Sequence, residues 1–275
     1  MITSRLKGGL GNQMFQIAAG YAHAKNIDDE FIIDYNITHH GGQGHPHLKY
    51  KDNLFKNIPT GSYKDREFVM YNEPAFRYVP IEQNDKDVMI DGYFQSELYF
   101  KDYRDDILNL FTFPDDITSQ VDEKLQKIKD AFKCEELVCV HVRRGEYLKL
   151  PHIHPAQSAA YYKINMNKFN KEKTGFVVIS DDMEWCEATL NADNVAFCNT
   201  GYDYSTEPRT EKLLELFDLY LSSKCDHNII PNSSFGWWGA WLNQNDNKVY
   251  APATWFGPEG PQDYDDIYCK TWETS

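Results

Sequence analysis

The sequence predicts an α/β protein of two domains, 1–130 and 131–275, built on mainly parallel sheets. Three observations lead there. Short apolar runs of strand length alternate with helix-spaced stretches through the second half. The chain opens as strand, glycine turn, helix and strand. Its 275 residues, 41% of them hydrophobic, are enough to bury the cores of two ordinary domains.

The opening element is Ile2 to Leu6, a strand that runs into Gly8-Gly9-Leu10-Gly11-Asn12-Gln13. Phe15, Ala18, Ala19 and Ala22 then recur with helical spacing, and Phe31-Ile32-Ile33-Asp34 reads as the next buried strand. Residues 38 to 90 are rich in His, Gly, Asn, Asp and aromatics, and their weak periodicity predicts no regular element. Helical spacing returns with Ile107, Leu108 and Leu110 and again with Val121, Leu125, Ile128 and Ala131, the two helices being separated at Pro114-Asp115-Asp116.

In the second half the strands are Leu137 to Val142, Phe176 to Ile179, Val195 to Phe197, His227 to Ile230 and Lys248 to Ala251. Between them helices are expected over Ala159 to Phe169, Met183 to Leu190, Glu211 to Leu221 and Gly236 to Leu242. Such alternation implies crossover connections and a sheet covered on both faces.

Composition narrows the partners. Lys and Arg number 28 against 42 Asp and Glu, a net charge of −14, which repels nucleic-acid backbones and anionic membranes at long range. A small anionic ligand stays compatible, because a few converging basic groups suffice to hold it. The six cysteines contain no C-x-x-C pair, and several sit in apolar runs as small hydrophobes. With no signal-like segment at the start and no spanning run, the expected location is cytoplasmic and unanchored.

In parallel sheets ligands bind outside the carboxyl ends of the strands. That rule selects three runs. After the first strand of the second half, His141-Val142-Arg143-Arg144-Gly145-Glu146-Tyr147 carries two guanidinium forks suited to a diphosphate, unless the arginines are merely surface groups paired with acids. After the next, Ser180-Asp181-Asp182 offers acceptors for ribose hydroxyls or a base edge, ligands for a divalent metal, or simply a helix cap through Ser180 or Asp181. After the third, Asn232-Ser233-Ser234-Phe235-Gly236 opens a helix whose N-terminus favours phosphate, while Trp237, Trp238 and Trp241 read as core.

Other clusters carry less. His39, His40, His45 and His47 fit an exposed glycine-rich loop better than a zinc site, and His152 and His154 flank the arginine run in a proline-bounded loop. Gly9-x-Gly11 with Asp34 beyond it partly mimics a dinucleotide fingerprint, which makes an NAD(P)-dependent oxidoreductase the alternative function. Met14, however, stands where that fingerprint requires its third glycine. A carbohydrate-binding module, suggested by 15% aromatic residues, leaves the strand-end arginines without a purpose.

Taken together, Gly8-Gly9-Leu10-Gly11-Asn12-Gln13-Met14-Phe15-Gln16, the His141 to Tyr147 run, Ser180-Asp181-Asp182 and Asn232 to Trp238 resemble the α-1,2-fucosyltransferases of glycosyltransferase family 11. The resemblance implies a GT-B architecture of two facing Rossmann-like domains, an acceptor-side domain and a GDP-fucose-binding one. It implies an inverting transfer of L-fucose from GDP-β-L-fucose to the 2-hydroxyl of a terminal galactose, without a metal or other cofactor. Carried over residue by residue, Arg143 meets the β-phosphate and Arg144 supports it or the loop. His141, Ser180, Asp181, Asp182, Ser233, Ser234 and Phe235 surround the donor, and Gly11, Asn12 and Gln13 reach toward it. Glu146 stands where the family mostly has Asp. It is either the base or a bracket for the arginines, because a carboxylate beside two guanidiniums is a poor proton acceptor. His154 and Asp34 are fallback bases.

Overall fold

A computed structural model of the chain describes residues 1–37, 46–198 and 214–275. It divides into two compact units: Met1–Pro114 with Asp263–Cys269, and Asp115–Gln262 with Lys270–Ser275.

In the first unit β1 (Ile2–Ser4) leads through the glycine turn into α1 (Leu10–Asn26), whose apolar residues bury against it. The sheet is parallel, with β3 (Val88–Asp91) between β1 and β2 (Val69–Asn72). Both β2 and β3 lie in the stretch for which the sequence predicts no regular element. Phe31 and Ile33, expected as a strand, form single parallel bridges to Ile2 and Thr60. His39, His40 and His45 lie outside the described residues. His47 is buried, packed 5.4 Å from the Tyr35 ring, and so is not part of an exposed loop.

The helices α2 (Arg104–Leu110) and α3 (Asp115–Phe132) are separated at Pro114 as the pattern predicts. The sequence places α3 in the first domain; the structure places it in the second unit. Val121 and Leu125, one turn apart, pack with Leu137, Cys139, Val177 and Leu221. The compact boundary therefore falls after Pro114 and not at 130. Residues 263–269 likewise join the first unit, where Asp266 accepts the Tyr78 N–H at 2.9 Å and the Ser96 hydroxyl at 2.7 Å.

The second unit holds β4 (Glu136–Val142), α4 (Ala159–Met166), β5 (Thr174–Ser180), α5 (Met183–Leu190), β6 (Val195–Phe197), α6 (Leu214–Lys224), β7 (His227–Ile229), α7 (Ser234–Trp241), β8 (Val249–Ala251) and β9 (Glu273–Thr274). All strand pairs are parallel, in the order β6-β5-β4-β7-β8-β9. The period-2 alternation of β4 explains the two covered faces. Val138, Val140 and Val142 pack with Tyr161, Tyr162 and Leu190 on one side, and Leu137 and Cys139 pack against α3 and α6 on the other. All six cysteines are free thiols. Among the described residues no helix is long and apolar enough to cross a membrane.

Candidate functional site

In the second unit's strand order, the chain runs outward from β4 through β5 to β6, and from β7 through β8 to β9 on the other side. β4 and β7 are therefore neighbours at the topological switch point, where the two connections diverge and leave a crevice outside the carboxyl ends. Arg143 follows β4 directly, and Ser233 and Ser234 follow β7 at the start of α7. Register brings the third run alongside, because Val142 pairs with Ser180.

Two carboxylates organise the arginines. Asp181 Oδ2 lies 3.1 Å from Arg143 Nη1, and Asp181 Oδ1 accepts the backbone N–H of Arg144 at 2.8 Å. Asp182 Oδ2 accepts from Arg144 Nε at 2.9 Å, and the Arg144 guanidinium lies 4.0 Å from the centre of the Trp185 ring. The helix cap expected at Ser180 or Asp181 is made by Asp182, whose Oδ1 accepts the Trp185 N–H at 3.2 Å; Ser180 Oγ in turn accepts the N–H of Asp182 at 2.9 Å. A guanidinium held by a fixed carboxylate and an aromatic face is oriented before any ligand arrives. The carboxylates that bracket the arginines are thus Asp181 and Asp182. Glu146, offered that role from the sequence, begins a short 3-10 turn over Glu146–Lys149.

His141, Arg143, Ile179, Ser180, Asp181, Asp218 and Phe235 line a small pocket open to solvent. The His141 ring is buried, and its Nδ1 has no hydrogen-bond partner among the described residues. Burial, with Arg143 adding to it, pushes the imidazole down to about 3, so it is neutral at physiological pH. Phe235 meets it edge-on at 5.5 Å. Gly236 permits that approach, since a Cβ there would stand 2.5 Å from His141 Nδ1 and 3.1 Å from Pro231 Cδ. Gly236→Ala is expected to destabilise the protein by roughly 1–3 kcal/mol through forced displacement of the ring. A urea titration checks this, and an unchanged midpoint would show that the ring moves aside freely.

The start of α7 is locked from behind. Tyr147 Oη donates to the Asn232 carbonyl at 2.9 Å, Gln157 Nε2 donates to Asn232 Oδ1 at 3.0 Å, and Asn232 Nδ2 donates to the Trp255 carbonyl at 2.8 Å. Ser233 occupies the N-cap position without a side-chain capping bond. The first backbone N–H groups of a helix have no intrahelical acceptor, and its dipole adds positive character there. The tryptophans of α7 are core, as expected: Trp237 and Trp238 are fully buried and their rings meet at 5.1 Å. His154 is stacked 4.9 Å from the Tyr147 ring, and burial with Arg143 lowers its pKa.

Gly11, Asn12 and Gln13 lie in the first unit, in the opening turn of α1. Asn12 Oδ1 accepts from Gln95 Nε2 at 2.8 Å, and Gln13 Nε2 donates to the Gly8 carbonyl at 2.9 Å. The fallback base Asp34 is committed elsewhere. Although burial opposes its charge, the Tyr63 and Asn36 N–H groups hold its carboxyl below the usual range. Met14 is fully buried where a dinucleotide site needs glycine. Sequence reasoning missed Trp185, Gln157 and Asp218. Only Asp218 left a signal, an acid set between Leu216, Leu219 and Leu221 on a helix.

Residues 1–275 match the family described as Glycosyl transferase family 11. An alpha-1,2-colitosyltransferase of Escherichia coli is 31% identical over 96% of this chain and 96% of its own. A galactoside 2-alpha-L-fucosyltransferase, Sec1, of Mus musculus is 27% identical, covering 92% of this chain and 67% of its own. Among solved structures, the fucosyltransferase NodZ from Bradyrhizobium superposes with a TM-score of 0.53 at 13% identity, over 86% of this chain and 91% of that one. NodZ alpha-1,6-fucosyltransferase co-crystallized with GDP gives 0.54 at 12% over 86% and 90%. At such identities the likeness is one of fold, two parallel α/β units of the GT-B type. The match along the full length also displaces the oxidoreductase reading that the glycine turn allowed. An arginine pair at the switch point of a doubly wound parallel sheet is thus one part of an enzyme that belongs, over its whole length, to glycosyl transferase family 11.

Proposed function

We propose that this glycosyltransferase moves L-fucose from GDP-β-L-fucose to the 2-hydroxyl of a terminal galactose, with inversion at the anomeric carbon. The observation that carries the reading is the pairing of Arg143 with the open start of α7 at one switch point. Departure of a nucleoside diphosphate develops charge on the bridging and β-phosphate oxygens. A guanidinium held by Asp181 and a fixed helix N-terminus stabilise that charge without reorganising. In this reading Arg143 meets the β-phosphate and Arg144 keeps the loop in place. Ser233, Ser234 and Phe235 flank the diphosphate, and His141 and Ser180 border the pocket beside it. Because Asp181 and Asp182 already hold the arginines, their part is to aim cations more than to bind guanosine directly. With the leaving group met by cations of the chain itself, the transfer runs without a metal.

A second donor comes from the likeness to a colitosyltransferase. Colitose is fucose without its 3-hydroxyl, so the two donors differ by one polar group that a pocket either hydrogen-bonds or ignores. The test is a thermal-shift series with GDP and NAD, followed by turnover of GDP-fucose and GDP-colitose on a panel of galactosides with linkage mapping. Stabilisation by GDP and not by NAD is expected, with full turnover in EDTA. Stabilisation by NAD alone, or activity restored only by manganese or magnesium, goes against the proposal.

A further inference from the structure

Serine is among the preferred residues at a helix N-cap, where its oxygen accepts an N–H of the first turn and so satisfies it. Ser158 does this for α4, accepting the Tyr161 N–H at 3.2 Å. Ser233 stands at the same position of α7, with extended backbone angles of φ −133° and ψ 130°, and makes no such bond. Its hydroxyl hydrogen-bonds the Tyr147 phenol instead. Both residues belong to the second unit and lie beyond the carboxyl ends of the neighbouring strands β4 and β7.

Tyr147 is fixed by its surroundings. Its ring is stacked on His154, and His154 in turn meets the Phe256 ring at 5.6 Å. Gly257 donates its N–H to the Ile153 carbonyl at 3.0 Å, and a Cβ on Gly257 would stand 2.3 Å from the His152 carbonyl oxygen, so the loop that carries His154 fits closely against the chain after Phe256. The Arg143 guanidinium lies 5.7 Å from the centre of the Tyr147 ring. Burial pushes the phenol up to about 12, against the downward pull of Arg143 and of the Ser233 hydroxyl, which donates to it. The phenol therefore stays protonated and holds two neighbours at once: it donates to the Asn232 carbonyl and accepts from Ser233.

We propose that Tyr147 is a positioning residue for the diphosphate: by drawing the Ser233 hydroxyl away it keeps the first turn of α7 uncapped, an inference that rests on the transfer reading above. A capped helix start is already satisfied, and an incoming anion must break the cap before it can use those N–H groups. With Ser233 held by Tyr147, a phosphate meets them without displacing a side chain. The pocket at this turn also points to a ligand. Phe235, the second residue of α7, lines it together with Arg143 and His141, and the His141 ring is 6% exposed with its unpartnered Nδ1 turned toward Gly236. Tyr147 thus joins the two halves of the site, Arg143 through its ring and the start of α7 through its hydroxyl.

Tyr147→Phe keeps the ring and removes only the hydroxyl, which frees Ser233 to cap α7. Its affinity for GDP, read by calorimetric titration below the melting temperature of each variant, is expected to fall about 2- to 30-fold, the equilibrium worth of one N-cap bond. Adding Ser233→Ala to Tyr147→Phe removes the competing cap and is expected to recover part of that affinity. A residue that only braces the loop gives no such recovery. Ser233→Asn leaves Tyr147 in place and brings a capping oxygen of its own, so it is expected to weaken GDP by a similar factor, which decides the matter if Tyr147→Phe does not fold. Wild-type affinity in Tyr147→Phe overturns the assignment. So does a double variant that binds GDP no more tightly than Tyr147→Phe, or an undiminished Ser233→Asn. If the wild type does not bind GDP, the transfer reading fails and takes this inference with it; a wild type that binds, with any of those three results, sinks the inference alone.

Discussion

Arg143→Ala is expected to reduce sugar transfer by about 10³-fold or more while the protein remains folded. Fixed cations that meet a departing phosphate are commonly worth 10³- to 10⁵-fold. The change leaves the Asp181 carboxylate, 3% exposed, with the Arg144 N–H but without its paired guanidinium, so a loss of stability of about 3–5 kcal/mol accompanies it and rates are compared well below the variant's melting temperature. Arg143→Lys keeps a charge but loses the planar fork, so an intermediate rate is expected. Initial rates with GDP-fucose, read beside circular-dichroism melting curves, decide the matter. Turnover equal to wild type in a folded Arg143→Ala protein would remove the central assignment.

The second large effect is expected at Asp181. Its side chain is 3% exposed and serves both arginines, one through the guanidinium and the other through the backbone. Removing one member of a buried ion pair costs about 3–5 kcal/mol. Arg143 retains some contact with water, at 16% exposure, which places Asp181→Ala near the lower end. Its GDP affinity should fall as well, because neither Arg143 nor the loop after β4 keeps its aim. Asp181→Asn retains an acceptor for the Arg144 N–H and loses only the charge, so it should fall between the two. Urea unfolding and calorimetric GDP titration measure the two consequences separately. A variant unchanged in both would show that the arginines hold their positions without this carboxylate.

Much of the second unit was legible in the sequence, and the reason is local. The buried strand β4 reads as an apolar run because both of its faces are covered, and β5 and β7 read the same way. The residues just past those strands could be named by rule, which is how Arg143, Ser180 and Ser233 were found. The first unit was harder. β2 is only four residues long and alternates between half-buried and exposed positions, and β3 is equally short, set between Asp85-Lys86-Asp87 and Gly92. Without a sustained period neither strand announces itself.

Local pattern sufficed for the α/β class, the alternation of elements, the strand ends that bear the arginines, and a motif set that indicates the family. The strand order that puts β4 beside β7, the pairing of Asp181 and Asp182 with the arginines, the packing of α3 with the second unit, and the meeting of Glu73 with the Tyr93–Phe94 loop emerge only in the folded chain. The physical reason is separation along the chain. Burial periodicity is written within a few neighbouring residues, whereas Glu73 lies 20 residues from Tyr93 and Arg144 lies 38 from Asp182. Which distant segments become neighbours is set by the parallel pairing of whole strands, and no local pattern records it.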